Sequence, residues 1–154
     1  MPHRDLITAD AIIPALKAST KKQVLLDLSE RAAELSGLNQ REIFDSLIQR
    51  ERLGSTGVGN GIAIPHGKLA KAQKLFGVFA RLEKPVAFES LDGQPVDLIF
   101  LLIAPETAGA DHLTALARIA RSLRDPVLVA KLRASRDPSA LYALFSQAPI
   151  SHAA

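Results

Sequence analysis

The segment VDLIFLLIA, residues 96–104, is apolar at every position except Asp97. It is much shorter than the roughly 18 residues that a membrane-spanning helix requires. Because its apolar residues occupy both sets of alternating positions, both faces of a strand formed by it would need to be covered. A turn signal, Asp92-Gly93, stands just before it. The segment therefore predicts a central strand with helices on each side, in a layered α/β domain.

Two amphipathic helical patterns precede this strand. The first, residues 20–36, ends at Gly37, and its predicted buried face consists of Leu25, Leu28, Ala32 and Leu35. The second begins with a capping-box-like pair, Asn39 and Glu42, and carries Arg50 in its last turn before ending near Gly54. Its apolar positions are Ile43, Phe44, Leu47 and Ile48.

The chain after the strand is predicted to be helical as well. A helix from Asp111 has a predicted buried stripe of Leu113, Leu116, Ala117, Ala120 and Leu123. Asp125-Pro126 ends this helix and begins another that runs through Leu132, and Asp137-Pro138 begins a last helix that ends near Phe145. We expect the last seven residues, 148–154, to be frayed.

Further strands are predicted at residues 62–64 and 75–82. The 154 residues are the length of one domain, and they contain no internal repeat or linker. We therefore expect residues 1–154 to form a single α/β domain whose core extends from about residue 7 to residue 146.

The composition excludes several classes of protein. Apolar residues make up 47% and charged residues 23% of the chain, which is the balance of a folded globule and not of a disordered chain. The chain has no cysteine, so disulfides, thiol nucleophiles and thiolate metal sites are excluded. Lys and Arg are spread along the chain without interleaved aromatic residues, which argues against nucleic-acid binding. The first residues have no signal-peptide pattern, and we expect a cytoplasmic protein without a membrane span.

The stretch GSTGVGNGIAIPHG, residues 54–67, favours a more specific function. It is not a phosphate-binding P-loop, because Asn60 and Gly61 stand where that motif has its lysine and hydroxyl residue. A dinucleotide-binding fingerprint fails at Ile62. We expect neither a cofactor nor a metal, although metal ligands distant in sequence stay open. The histidines, none of them paired at ligand spacing, are His3, His66, His112 and His152.

His66 has two interpretations. The ordinary one is a histidine in a surface loop whose glycines only satisfy turn geometry. Against it, Pro65 stiffens the approach and favours an extended Ile64, and Gly67 leaves room for a close approach to the imidazole. A neutral imidazole is a competent nucleophile near pH 7. Since phosphoryl groups require guanidinium and N–H donors, which a glycine-rich loop can help to supply, we favour a phosphoryl acceptor.

The string QRERLGSTGVGNGIAIPHGKL, residues 49–69, resembles the active-site region of phosphotransferase-system enzyme IIA domains of the fructose and mannitol class, above all their nitrogen-regulatory branch. Residues 98–123 resemble the second signature of that family, in which His-Leu opens a helix after a hydrophobic strand and a loop. The resemblance extends from about Ile7 to Phe145. It implies a mixed sheet with helices on both faces.

The resemblance also implies a chemistry and the residues that carry it. His66 would accept a phosphoryl group from a histidine-containing phosphocarrier protein, itself supplied from phosphoenolpyruvate, with His112 and Arg50 beside it. We expect His112, at a helix start, to bind the phosphoryl oxygens or orient His66, and Arg50 to neutralise their charge. From the residues alone, the ordinary interpretations of these two are an exposed histidine and a solvated arginine. Ser55 and Thr56 are candidates either for hydroxyl donors to the phosphate or for turn caps.

Within this family two functions stay open. A regulatory carrier would bind target proteins according to its phosphorylation state, in nitrogen or potassium metabolism, with sensor kinases or potassium transporters as targets that the resemblance implies. A sugar-transport component would pass its phosphate to an enzyme IIB. We favour the regulator because the motif is most like the regulatory branch and the chain ends soon after the predicted domain. A different class, an interaction module that is never phosphorylated, is a third alternative. For a regulator we expect His66 at the edge of an apolar patch that includes Ile62 and Ile64.

Overall fold

The structure, a computed structural model, describes residues 6–147, so the predictions for His3, His152 and residues 148–154 lie outside the described part. A short 3₁₀ turn, Ala9–Ala11, leads into the first strand. The strands and helices follow in the order β1 (Ile12–Leu16), α1 (Lys21–Ser36), α2 (Gln40–Arg52), β2 (Gly57–Gly59), β3 (Ile62–Ala63), β4 (His66–Leu69), β5 (Phe76–Val86), β6 (Val96–Pro105), α3 (Ala110–Ser122), α4 (Pro126–Ala134) and α5 (Pro138–Gln147).

The strands form one mixed sheet with β6 at its centre. The order across the sheet is β1-β5-β6-β3-β2, and β4 also pairs with β6. Strand β5 is antiparallel to β6, whereas β3 and β4 are parallel to it. The mixed sheet and the central position of residues 96–104 are therefore as predicted.

Strands β3 and β4 lie one after the other along the same edge of β6. Ile62 is opposite Leu98 and His66 is opposite Leu102, so the register is kept across the break between the two strands. Pro65 stands in the break and has no N–H for a strand ladder, although its carbonyl still accepts from Leu102 N at 2.9 Å. The interruption places His66 at the first residue of β4, beside the central strand.

Helices cover both faces of the sheet, as expected. Alternate residues of β6 belong to two separate cores: Leu98, Phe100 and Leu102 pack with residues of α3, α4 and α5, and Ile99, Leu101 and Ile103 pack with residues of α1 and α2. These six side chains are all fully buried. Burial of each contributes about 1.5–3 kcal/mol, so the central strand anchors both helical layers.

The predicted helix boundaries agree with the local capping. Gly37 adopts a left-handed conformation, with φ of 76°, at the end of α1. Asn39 Oδ1 accepts from Glu42 N at 3.1 Å at the start of α2, and Asp125 Oδ1 accepts from Val127 N at 2.9 Å at the start of α4.

The strand predictions were incomplete. The predicted strand 62–64 ends at Ala63, and β5 continues past residue 82 to Val86. Strands β1, β2 and β4 were not predicted. These strands are short, and they contain Pro14 in β1 and glycines in β2 and β4. Their extended form depends on pairing with neighbouring strands, because their own residue pattern does not favour it.

The predicted buried stripe of α3 was only partly right. Leu113 is 67% exposed, and Ala117 is exposed as well, whereas His112, Ala115, Ile119 and Ser122 are buried. Of the predicted set, Leu123 is in the core, and Leu116 and Ala120 are partly buried and pack against it. The face that packs on the sheet is displaced by one residue from the most apolar face, because its small residues let the helix approach closely and because it includes a polar histidine. Hydrophobicity alone pointed to the neighbouring face.

Candidate active site

His66 is half-buried at the start of β4, and both of its ring nitrogens have partners. Nδ1 lies 2.9 Å from the carbonyl oxygen of Ile64, in the break between β3 and β4. Since a carbonyl oxygen can only accept, Nδ1 must carry the proton and donate it. Arg50 Nε donates to Nε2 at 3.1 Å, which requires a lone pair on Nε2. The two contacts together define a neutral imidazole with its proton on Nδ1 and its free lone pair on Nε2.

Arg50 can approach His66 because α2 packs directly against β4. A Cβ on Gly67 would collide with the side chain of Ser46, so the strand and the helix meet here without a side chain from the strand. Ser46 Oγ donates to the carbonyl oxygen of Lys68 at 3.1 Å, which fixes the contact. Arg50 follows Ser46 by one turn on the same face of α2. The room at Gly67 that the sequence predicted is thus occupied by α2 itself.

The guanidinium of Arg50 is held at two points. Besides donating from Nε to His66, it donates from Nη1 to the carbonyl oxygen of Gly54 at 2.9 Å. The other N–H groups of the planar guanidinium point elsewhere in the same plane and remain suited to a planar or tetrahedral oxyanion.

His112 lies beside His66, as the resemblance implied. The centroids of the two imidazole rings are 5.5 Å apart, with their planes tilted by 50°. His112 is the third residue of α3, and only 6% of it is exposed. Among the described residues no hydrogen-bond partner reaches its Nε2. Leaving a buried polar atom unpaired costs about 1–3 kcal/mol, so this nitrogen is a candidate for contact with an anion.

Burial and neighbouring cations keep both histidines in their neutral forms. Burial is the main reason that the pKa of His66 lies below its ordinary value. The hydrogen bond to the Ile64 carbonyl raises the pKa, the positive charge of Arg50 lowers it, and Glu51 has a smaller raising effect. Burial also lowers the pKa of His112, with additional contributions from His66 and Lys68. A neutral His66 at pH 7 retains the lone pair that a nucleophile needs.

The hydroxyl groups of Ser55 and Thr56 are engaged within the loop that connects α2 and β2. Ser55 Oγ donates to the carbonyl oxygen of Phe88 at 2.6 Å and accepts from Gly57 N. Thr56 is buried, and both its Oγ1 and its N donate to the carboxylate of Glu51. These contacts favour the turn-capping alternative for both residues, while phosphate binding by them stays a prediction.

The glycine-rich stretch forms a β-hairpin. Its turn is Asn60-Gly61, both residues with positive φ, of 57° and 79°. The N–H groups of Thr56, Gly57, Asn60 and Ile64 all donate within the protein. These four N–H groups of the stretch are therefore already engaged and not free to bind an anion.

The apolar patch expected around Ile62 and Ile64 was wrong, because both side chains are buried in the core, at 3% and 5% exposure. Two exposed apolar side chains lie next to site residues in the chain: Leu53, directly after α2 and three residues beyond Arg50, and Leu113, directly after His112. We call these two residues the apolar rim.

Within residues 6–147 no group of three or more His, Cys, Asp or Glu residues could hold a metal ion. In the same range, no helix has both the length and the apolar character needed to cross a membrane.

The mixed α/β sheet covered by helices on both faces is the fold of phosphotransferase-system enzyme IIA domains. The family model for "Phosphoenolpyruvate-dependent sugar phosphotransferase system, EIIA 2" matches residues 5–148, and the chain belongs to this family. It is 60% identical to a nitrogen regulatory protein of Bradyrhizobium diazoefficiens over 153 residues, which cover 99% of this chain and 100% of that one. It is 42% identical to a nitrogen regulatory protein of Escherichia coli K12, over 82% of this chain and 78% of that one.

Among solved structures, the fold matches the crystal structure of the nitrogen regulatory protein IIA-Ntr from Neisseria meningitidis. The TM-score is 0.87 at 32% sequence identity, and the match covers 92% of this chain and 97% of the other.

The protonation of the site predicts a specific titration. In NMR spectra we expect His66 to be neutral at pH 7 with its proton on Nδ1, and to titrate with a midpoint below the ordinary value of about 6.5. Arg50→Gln removes a positive charge and a donor to Nε2, so the pKa of His66 should rise. A wild-type midpoint above 6.5, or an unchanged midpoint in Arg50→Gln, would contradict the described hydrogen bonding. Arg52→Gln, an exposed neighbour, is the control.

Proposed function

We propose that this chain is a phosphoryl carrier that accepts a phosphoryl group on Nε2 of His66 from a histidine-containing phosphocarrier protein, and that its two forms bind different partners. The single observation that carries the proposal is the pair of contacts on His66: Nδ1 donates to Ile64 O, and Nε2 faces Arg50. These contacts supply a nucleophilic nitrogen together with a cation at the position where the phosphoryl oxygens arrive. Family membership supports the same chemistry.

The step balances without an external acid or base. The lone pair of His66 Nε2 attacks phosphorus as the phosphorus–nitrogen bond to the donor histidine breaks, and the donor nitrogen keeps the electron pair. The product ring carries the phosphoryl group on Nε2 and the proton on Nδ1, so it becomes cationic. The Ile64 carbonyl already accepts from Nδ1 and would stabilise that charge.

Arg50 has to exchange one partner during this step. Its Nε–H covers the Nε2 lone pair in the unmodified protein, so the guanidinium must turn its donors toward the phosphoryl oxygens as the new bond forms. The contact from Nη1 to Gly54 O can persist and limit this movement to a rotation. We infer that Arg50 keeps the free nucleophile oriented and then stabilises the transferring group, where electrostatic stabilisation dominates catalysis.

His112 would act as a donor to the same oxygens. Its unpartnered Nε2 is buried next to His66, at the N-terminal turn of α3, where the helix dipole favours an anion. A phosphoryl group would supply the partner that this nitrogen lacks in the unmodified protein.

A regulatory role is supported by the similar proteins, two of which, in Bradyrhizobium diazoefficiens and Escherichia coli, bear the name nitrogen regulatory protein. We infer that the chain is a cytoplasmic regulator whose phosphorylation state selects its partners. We expect these partners to act in nitrogen or potassium metabolism. The apolar rim around the site offers a docking surface, and the added phosphoryl group brings about 1.5 to 2 negative charges to its centre. Onward transfer to an enzyme IIB is the alternative fate of the same group.

The acceptor residue is tested by direct phosphorylation. Incubated with phosphoenolpyruvate and the general phosphotransferase proteins, the chain should gain one phosphoryl group, acid-labile and base-stable as a phosphoramidate is. Fragmentation mass spectrometry and ³¹P NMR should place it on Nε2 of His66, and His66→Ala should abolish it. A hydroxyl ester on Ser55 or Thr56, or no incorporation into the folded wild type, would refute the proposal.

The supporting residues are tested by the rate of the same reaction. We expect Arg50→Ala and His112→Ala to accept phosphate on His66 about 10- to 100-fold more slowly, below the loss of about 10²- to 10³-fold seen when a fully preorganised oxyanion donor is removed. Arg50→Lys should recover only part of the rate, because it restores the charge without the planar fork. Arg52→Ala is the matched exposed control. Rates equal to the wild type in both alanine variants would make Arg50 and His112 bystanders.

Partner selection is tested by competition at the apolar rim. A target captured from cell extract should bind the phosphorylated and unmodified forms with different affinities, and the phosphocarrier should displace it. Leu113→Ser should weaken binding of both partners without changing the fold, because Leu113 is 67% exposed, whereas the distant exposed residue Val127, changed to Ser, should have no effect. Equal capture by wild type, phosphorylated protein and His66→Ala would leave phosphate relay to an enzyme IIB as the function.

A further inference from the structure

Glu51, the residue after Arg50, has a carboxylate side chain that phosphoryl transfer does not itself require. Only 6% of the Glu51 side chain is exposed. Its Oε1 accepts from Thr56 N at 3.1 Å, and its Oε2 accepts from Thr56 Oγ1. An acid in this position costs free energy to bury unless all of its oxygens are paired, and these contacts pair them.

Lys21, at the start of α1, compensates the charge of Glu51. Its Nζ is 2.9 Å from Glu51 Oε1 and 3.3 Å from Glu89 Oε1, and it lies 4.8 Å from the centre of the Phe88 ring. The ammonium therefore joins α1, the end of α2 and the segment after β5. The loop between α2 and β2 is attached to the same segment, because Ser55 Oγ donates to Phe88 O.

Arg50 and Glu51 hold this loop at two places. Arg50 Nη1 donates to the carbonyl oxygen of Gly54, and Glu51 accepts from Thr56 two residues further on. The position of the Gly54 carbonyl, and with it the orientation of the Arg50 guanidinium, therefore depends on the attachment of Thr56 to Glu51.

The same contacts keep Glu51 away from Arg50. Among the described residues Arg50 forms no ion pair, although a carboxylate is its neighbour in sequence. An ion pair between the two would neutralise the guanidinium that has to meet the phosphoryl group. Thr56 and Lys21 direct the carboxylate elsewhere and leave the charge of Arg50 uncompensated.

We propose that Glu51 is a positioning residue for phosphoryl transfer, which holds the loop 54–57 through Thr56 and so fixes the guanidinium of Arg50 against Nε2 of His66. It acts through Arg50 and does not contact the reacting nitrogen. The inference rests on the proposed acceptance of phosphate by His66.

The first test compares two substitutions of Glu51 in steady-state phosphoryl transfer from the phosphocarrier protein. In Glu51→Ala the loop loses its anchor, and we expect kcat to fall about 10- to 100-fold with the KM for the phosphocarrier within about threefold of wild type, because a misplaced catalytic group slows the step without weakening docking. Glu51→Gln keeps a carbonyl acceptor for Thr56 and should transfer faster than the alanine variant. Glu30→Ala, an exposed glutamate on α1, is the control.

The second test separates positioning from general stability. The Nε–H resonance of Arg50, shifted by its bond to His66, should move toward the value of a solvated arginine in Glu51→Ala and stay in place in Glu30→Ala. If Glu51→Ala does not fold, Thr56→Val, which removes one donor, should still show the loss of kcat and the resonance shift, and Thr56→Ser should restore both.

The outcomes distinguish the two proposals. A wild type that takes up no phosphate refutes the proposed function itself. A wild type that is phosphorylated on His66, with folded Glu51→Ala or Thr56→Val variants that keep wild-type kcat or an unmoved Arg50 resonance, refutes only the role of Glu51.

Discussion

The hydrogen bond from Arg50 Nε to His66 Nε2 requires the end of α2 to pack closely against the start of β4, because it joins these two elements. The two elements can approach closely enough only where the strand has no side chain, and Gly67 meets Ser46 at that point. The strand must also stop at Pro65, so that the Ile64 carbonyl is available to His66 Nδ1. Helix packing, the strand break and the tautomer of the nucleophile thus follow from one contact.

The same region carries features that a stability optimum would not contain. A histidine is buried in α3 without a partner for its Nε2, and a carboxylate is buried at the end of α2. The unpaired Nε2 of His112 costs about 1–3 kcal/mol, and the desolvation of the Glu51 carboxylate is compensated only by its contacts with Thr56 and Lys21. The two cores on either side of β6 offset these costs, since the central strand is fully buried on both faces. Unfavourable groups concentrated in one place, on a scaffold that is well packed elsewhere, are typical of a site where function constrains the sequence.

The sequence predicts the layers and the helix boundaries because these depend on local signals: the apolar run of β6, the caps at Asn39 and Asp125, and the glycine at 37. It does not predict β1, β2 or β4, whose extended form depends on partners far away in the chain. The prediction for α3 chose the most apolar face, whereas close packing on the sheet selected the face with Ala115, Ser122 and His112. His66 was favoured from its local sequence, Pro65 before it and Gly67 after it. Arg50 and His112 were identified only from the family resemblance, since spacings of 16 and 46 residues give no local indication that they meet His66. Glu51 was missed because a glutamate between two arginines is usually a solvated residue, and only its contacts with Thr56 and Lys21 distinguish it.

The geometry also explains how such a site can signal without a large rearrangement. In the unmodified protein the centre of the apolar rim carries the positive charge of Arg50, against two neutral histidines. A phosphoryl group on Nε2 brings about 1.5 to 2 negative charges, of which the cationic ring balances one, so the remainder would offset much or all of the positive charge of Arg50. The elements that hold His66 and His112 would remain anchored in the two cores. A partner that buries Leu113 or Leu53 must desolvate that centre, so the cost of docking changes with its charge even if no backbone atom moves. Because the structure holds Arg50 rigidly against His66, phosphorylation would change the charge of this surface but not its shape. A partner would therefore detect the change in charge.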